Sequence, residues 1–154
     1  EAVADADVIC TVTAATEPIL EGRWVAPGAH VNLVGSAMPT AREADTDLVV
    51  RARVFTDRLE SVFAEAGDVV IPLEEGAIDR DHVLGEIGAV AAGLLEGRRT
   101  SDEVTVFKSL GVGVEDVAAG RLVYDRAVAR GVGTPVALGG LRPGLAGRAG
   151  GDPI

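Results

Sequence analysis

The stretch Asp102–Asp116 reads Asp-Glu-Val-Thr-Val-Phe-Lys-Ser-Leu-Gly-Val-Gly-Val-Glu-Asp. Val104, Thr105 and Val106 form a β-branched run that ends at Phe107, and Lys108 and Ser109 break it. Gly111 and Gly113 follow. From Val114 the apolar spacing changes from two to about 3.6 residues, which marks a helix. A strand that enters a helix through a glycine-containing turn is an α/β junction. In α/β proteins such junctions lie at the carboxyl edge of the sheet, where ligands bind. Backbone N–H groups at an exposed helix start favour anions by about 0.3–1 kcal/mol. Lys108–Gly111 is therefore the most ligand-ready place in the sequence; the alternative is a plain strand-to-helix connector.

The rest of the chain supplies the partners of that strand. Glu1–Ala6 reads as a helix end. Asp7–Thr13, Asp-Val-Ile-Cys-Thr-Val-Thr, is apolar and β-branched on both parities and predicts a buried parallel strand, with Cys10 inside it. Ala14–Pro18 is a loop, Leu20–Trp24 a brief turn, and Ala29–Val34 a second buried strand ending at Gly35-Ser36. Asp45 or Thr46 caps a short helix through Ala52. Arg53–Thr56 is a third strand, ending at Asp57. Leu59–Ala66 is amphipathic and helical, closed by Gly67. Pro72 interrupts the apolar run Val69–Leu73 and predicts a strand edge or an extended link. His82–Leu95 predicts an Ala-rich helix with Gly88 and Gly93 inside it, each costing about 1 kcal/mol against alanine. The last helix runs from about Val114 to Arg130, with Gly131 as the residue just past its end. Strand–helix alternation of this kind predicts an α/β fold with a parallel sheet. Residues 139–154 are too rich in glycine and proline to offset their ordering entropy, which predicts a disordered tail from 137 to 154.

Chain length and charge narrow the function. One domain with a sizeable core fits in 154 residues. A formal net charge of −10 argues against a general nucleic-acid binder and against anionic membranes. No apolar run reaches the roughly 18–20 residues of a membrane span. One cysteine rules out an internal disulfide and suits a reducing, cytoplasmic setting. The only methionine is Met38, and the chain opens inside a helix end. We therefore expect a piece of a longer protein, with the upstream half of its domain missing.

Most chemical motifs fail on context. Gly111-Val-Gly113-Val-Glu-Asp116 places an acid where a dinucleotide fingerprint needs its third small residue, and Gly131-Val-Gly133 follows a helix instead of a strand. His30, and His82 with Asp79 and Asp81, make weak metal claims. No Gly-x-Ser-x-Gly elbow is present, and Glu74, Glu75 and Glu86 read as surface acids. Thr11-Val-Thr-Ala is more promising, since a strand end with two hydroxyls and a small residue suits a flat ligand lying across the sheet edge. β-Propensity alone also accounts for those threonines.

An ordered set of segments carries a resemblance. It comprises Thr11-Val-Thr-Ala with Pro18-Ile-Leu, Pro27-Gly-Ala-His-Val-Asn-Leu-Val-Gly35, Glu65-Ala-Gly-Asp68, Gly85-Glu86, Thr105-Val-Phe-Lys-Ser-Leu-Gly111, and Glu115-Asp116 with Tyr124. Together they resemble the ornithine cyclodeaminase/mu-crystallin family from about Asp5 to Thr134. The resemblance implies a Rossmann-type NAD(P)-binding domain, here residues 1–136. It further implies an amino- or imino-acid substrate and a homodimer formed through an N-terminal domain. By the same resemblance, Thr11, Val12, Thr13, Val34, Gly35, Ser109, Leu110 and Gly111 surround NAD or NADP, and Ala37 lies in the substrate pocket. Three departures follow. The Gly-rich phosphate loop and the ribose-binding acid are absent, as are the substrate-holding residues of the N-terminal domain, so this piece alone is expected to be inactive. In ornithine cyclodeaminases of the family an aspartate stands two residues after the Val-Gly glycine, where this chain has Ala37, which cannot transfer protons. That argues against ornithine cyclisation and towards an amino-acid dehydrogenase, an imine reductase or a non-catalytic, cofactor-binding crystallin-like protein. Arg42 and Glu43 match charged family positions and receive no role.

Overall fold

The structure, a computed structural model, describes residues 2–136. The chain divides into two compact units, Glu1–Glu115 and Asp116–Ile154. The first holds a five-stranded sheet of β1 (Val8–Thr11), β2 (His30–Leu33), β3 (Arg53–Thr56), β4 (Val83–Glu86) and β5 (Thr105–Lys108). All pairings are parallel and the spatial order is β1-β2-β5-β3-β4. The last strand in sequence is thus inserted at the centre. Because the strands are parallel, their carboxyl ends share one edge, where the register aligns Thr11, Leu33, Lys108, Thr56 and Glu86 in a row.

The period of two decides which side chains enter the core. Ile9, Val31, Leu33, Val54 and Val106 project from one face and are buried. They pack with Leu48 and Val49 of α1 (Thr46–Arg51), Val62 of α2 (Leu59–Glu65) and Val69 of α3 (Gly67–Glu74). The other face is more open, with Val8 and Cys10 exposed and His30, Asn32 and Phe107 half-buried. Asp45 caps α1 as expected. Its Oδ1 accepts from the amides of Leu48 at 2.9 Å and Gly22 at 2.8 Å, which also fastens the 3-10 turn Gly22–Trp24.

Four local expectations change. Residues 2–5 form a turn and no helix end, with Asp5 left-handed at φ 64°. Val69–Leu73 is helical, part of α3, because Asp68, Val69 and Pro72 share one buried helical face and the proline removes only one backbone donor. Gly67 begins that helix and does not merely close α2; Ala66 is the common cap. In place of a helix over His82–Leu95 there is a turn at Arg80–His82, then β4, then the short helix α4 (Ile87–Ala91). β4 bulges at Leu84 opposite Val54 and Phe55, and Gly85 takes φ 153° there. Gly93 at φ 71° lies just beyond the end of α4. Cys10 was expected inside and is exposed, because β1 is an edge strand with only Ile9 and Thr11 turned to the core.

In the second unit, α5 (Gly113–Arg130) continues with no buried residue. Gly131, at φ 62°, ends it as expected, with its amide on the Val128 carbonyl at 3.1 Å and the Val132 amide on Ala127 at 3.0 Å. The expected disorder of 137–154 lies outside the described residues. No described helix is long and apolar enough to cross a membrane.

A methyl group on Gly67 would overlap the carbonyl oxygens of Ala41 and Met38. Gly67→Ala is therefore expected to cost about 1–3 kcal/mol through overpacking, measured by urea unfolding of the two proteins; an unchanged midpoint would contradict the packing described.

Candidate functional site

At the carboxyl edge, the ends of β1 and β2 meet on one side chain. Glu43, fully buried, precedes α1 and extends across both strand ends. Its Oε1 accepts from the Thr13 amide at 2.7 Å and the Thr13 hydroxyl at 2.8 Å. Its Oε2 accepts from the Thr11 hydroxyl at 2.7 Å and the Gly35 amide at 2.8 Å. A carboxylate has about four acceptor positions, and here four donors fill them. Gly35 must lack a side chain, because a Cβ there would collide with the Thr13 backbone and with Glu43 Oε1. Burial is the largest single influence on Glu43 and pushes its pKa up. The bonds from Thr11, Thr13 and Gly35 together outweigh burial and hold it below the ordinary carboxylate value.

The backbone of Glu43 is equally occupied. Its carbonyl accepts from Ile19 at 2.8 Å and Leu20 at 2.9 Å. Its amide and that of Ala44 donate to Asp68 Oδ1 at 2.7 and 2.9 Å. Asp68 Oδ2 faces Lys108 Nζ at 3.1 Å, and both side chains are fully buried. The two atoms form an ion pair without hydrogen-bond alignment, and neither has a hydrogen-bond partner among the described residues. A continuous polar chain thus runs from the ends of β1 and β2 through Glu43 and Asp68 to the end of β5.

The residues anticipated from sequence fall into two groups. Thr11 and Thr13 give their hydroxyls to Glu43. Lys108, the first residue of the stretch expected to be ligand-ready, turns into the core. The Leu110 and Gly111 amides, expected to be free for an anion, both donate to Asp57 Oδ2 at 2.7 Å, and the Ser109 hydroxyl lies 3.4 Å from the same oxygen. Asp57, at the end of β3, therefore fills the anion-binding turn from within. The second group is open. Val12 is 69% exposed and Val34 39%; Ala37 and Gly111 are exposed, and Gly35, Ser109 and Leu110 half-buried. The Val34 amide on Thr11 at 2.9 Å and the Ser109 amide on Leu33 at 3.0 Å extend the ladder by one residue and bring Val12, Val34 and Ser109 side by side. The Ser36 hydroxyl donates to the Ala41 carbonyl, folding the loop that carries Ala37 and Met38 back on itself.

Glu43, Asp68 and Asp57 were assigned no role from sequence. For Lys108 the signal was present: it shares strand parity with Val104 and Val106, both buried. Arg42 diverges from Glu43 and reaches Thr46 at 2.9 Å and Glu75 at 3.3 Å. Asp79 caps the His82 amide, and the His82 ring contacts the Val49 carbonyl. His30 bonds Thr105, and burial foremost lowers its pKa, with Arg98 adding to this against a bond from Asn32. Among the described residues no three metal-ligand side chains converge.

The sequence profile of the Ornithine cyclodeaminase/mu-crystallin family matches residues 1–131. The chain is 47% identical over 125 residues to ketimine reductase mu-crystallin of Mus musculus, covering 81% of this chain and 37% of that protein. It is 40% identical over 124 residues to Delta(1)-pyrroline-2-carboxylate reductase of Colwellia psychrerythraea, covering 80% and 39%. Among solved structures, Delta(1)-pyrroline-2-carboxylate reductase of Thermococcus litoralis, in complex with NADH and L-proline, superposes with a TM-score of 0.77 at 38% identity, over 88% of this chain and 42% of that one. Iminosuccinate reductase of Paracoccus denitrificans with NAD+ gives 0.72 at 35% identity, over 88% and 41%. The chain spans about two fifths of the length of these relatives.

Two stability predictions follow from this chain of contacts. Lys108→Met would strand the Asp68 carboxylate in the core and is expected to cost about 3–5 kcal/mol, read from denaturant unfolding. A carboxyl whose native pKa lies below its unfolded value stabilises the fold above the unfolded value, about 4.3, and loses that contribution as pH falls through the lowered native value. The stability gap between wild type and Glu43→Gln should therefore narrow steadily with acidification below about pH 5; a constant gap across a series of unfolding curves would refute the assignment.

Proposed function

The chain belongs to the ornithine cyclodeaminase/mu-crystallin family, and from that premise we propose that residues 1–136 are part of the NAD(P)-binding domain of an oxidoreductase acting on an α-amino or imino acid. One observation carries the reading: Val12 and Val34 stand exposed on two adjacent strand ends that Glu43 ties together, with Ser109 beside them. Two valines on a rigid edge offer an apolar platform for a planar ring, and the nicotinamide supplies hydride transfer when bound. The donor set fits the ring half of the cofactor better than its phosphates. The hydroxyls of Thr11 and Thr13 are bonded to Glu43, and the amides of Leu110 and Gly111 to Asp57. Val12, Thr13, Val34 and Gly35 would bear on the ring from the ends of β1 and β2, and Ser109, Leu110 and Gly111 would bound it from the end of β5. Thr11 would act through Glu43.

Ala37 lies exposed on the loop after β2 and would face the substrate. Its methyl group cannot give or accept a proton, which supports a dehydrogenase or ketimine reductase over an ornithine cyclodeaminase. A reducing, cytoplasmic setting suits a single exposed thiol, Cys10, and the full-length protein would form a homodimer through its other domain.

The test is titration of the full-length protein with NADH and NADPH, followed by turnover on cyclic and acyclic imino acids. We expect saturable binding of at least one cofactor and reduction of an imino acid. Val34→Asp should weaken binding about tenfold or more, equivalent to about 1.4 kcal/mol, without lowering the melting temperature. Absence of binding by either cofactor would overturn the proposal, and conversion of ornithine to proline would replace it with the cyclodeaminase reading.

A further inference from the structure

We infer that Glu43 is a positioning residue for the cofactor site: one buried carboxylate fixes the separation of the two strand ends that carry Val12 and Val34. The inference rests on the proposed cofactor reading for its purpose and on geometry alone for its mechanism. Val12 lies between the two threonines whose side chains Glu43 accepts, and Val34 immediately precedes the glycine whose amide it accepts. Thr13 and Gly35 each lie two residues past the ends of β1 and β2, yet each has its amide fixed by the same carboxylate at 2.7 and 2.8 Å. The last backbone bond between the two strand ends is that of the Val34 amide to Thr11, and Glu43 takes the place of the ladder at Thr13 and Gly35, one residue further on each strand. The missing side chain of Gly35 lets the two ends approach closely enough for a single carboxylate to reach both.

The anchoring of Glu43 separates this arrangement from an ordinary buried polar contact. Its amide and that of Ala44 are held by Asp68, which pairs with Lys108 at the end of β5, and the next residue, Ser109, borders the same site. A shift in any of the three strand ends must therefore move Glu43, and through it the others. No glutamine can substitute. A carboxamide oxygen can serve one pair of donors, but its NH2 then faces the other pair, which contains either the Thr13 amide or the Gly35 amide, and neither can accept. Glu43→Gln should consequently release one strand end while leaving the sheet intact.

The experiment is amide hydrogen exchange by NMR on the full-length protein, wild type and Glu43→Gln, with NADH and NADPH affinity measured in parallel. We expect exchange at Thr13 or Gly35 to accelerate about tenfold or more in Glu43→Gln, while Val31 and Val106 in the central strands keep their protection. Affinity for the cofactor that binds wild type should fall by a similar factor. Unchanged exchange at both amides overturns the inference, as does unchanged affinity in a protein that binds cofactor. If wild type binds neither cofactor, the functional reading fails, and the exchange data still decide whether Glu43 holds the strand ends. Should Glu43→Gln fail to fold, Thr11→Val, which removes one of the four donors and leaves both amide bonds, must loosen the same two amides to a lesser degree; no change there overturns the inference equally.

Discussion

Glu43 is a fully buried carboxylate whose charge is met by dipoles, with no cation paired to it among the described residues. A buried ion without solvent is costly, and hydrogen bonds to the charged form are one way to offset that cost. Four donors from three residues do so here, and each is held in place by the strands it terminates. The arrangement is cooperative in a simple sense. Donors and acceptor are all confined to one geometry, so the loops beyond β1 and β2 share the order of the sheet. Asp68 and Lys108 extend the same logic to β5, this time with a true ion pair at 3.1 Å.

The distribution of these polar groups determines the chemistry left at the edge. The hydroxyls and two turn amides that would ordinarily be offered to an anionic ligand are satisfied within the protein by Glu43 and Asp57. Apolar side chains that stay exposed beside these groups are Val12, Val34, Ala37 and Met38. An edge of this composition has few free donors with which to recognise a phosphate. The relatives bound to NADH and NAD+ are more than twice as long as this chain.

The fold and the site were legible in the sequence to different degrees. The parallel class, the Asp45 cap and the Gly131 terminus follow from local rules of period and capping, and they appear in the structure. The strand at Val83–Glu86 was hidden, because Leu84, Gly85 and Glu86 suit a helix as readily as a strand, and only pairing with β3 and its bulge decides between them. α3 was hidden behind Pro72, whose local cost is outweighed by burial of the Asp68–Val69–Pro72 face. The strand-end residues of the site were found by their place in the pattern, whereas Glu43, Asp68 and Asp57 were not. Their roles depend on partners 8 to 54 residues away, and an isolated acid in a sequence carries no sign of which donors will surround it.

The insertion of β5 at the centre of the sheet has a consequence for how the molecule is made. β2 pairs with β5 across a gap of 75 residues, as between His30 and Thr105. β1 and β2 can pair early, and so can β3 and β4, but the two halves present unpaired inner edges to each other until Thr105–Lys108 has been synthesised and slides between them. Pairing over such separations is slow, and open apolar edges invite association with other chains. Lys108 adds a further condition, because its charge leaves water only as it meets Asp68. Completion of the sheet and closure of the core therefore both depend on a four-residue strand near the end of the first unit.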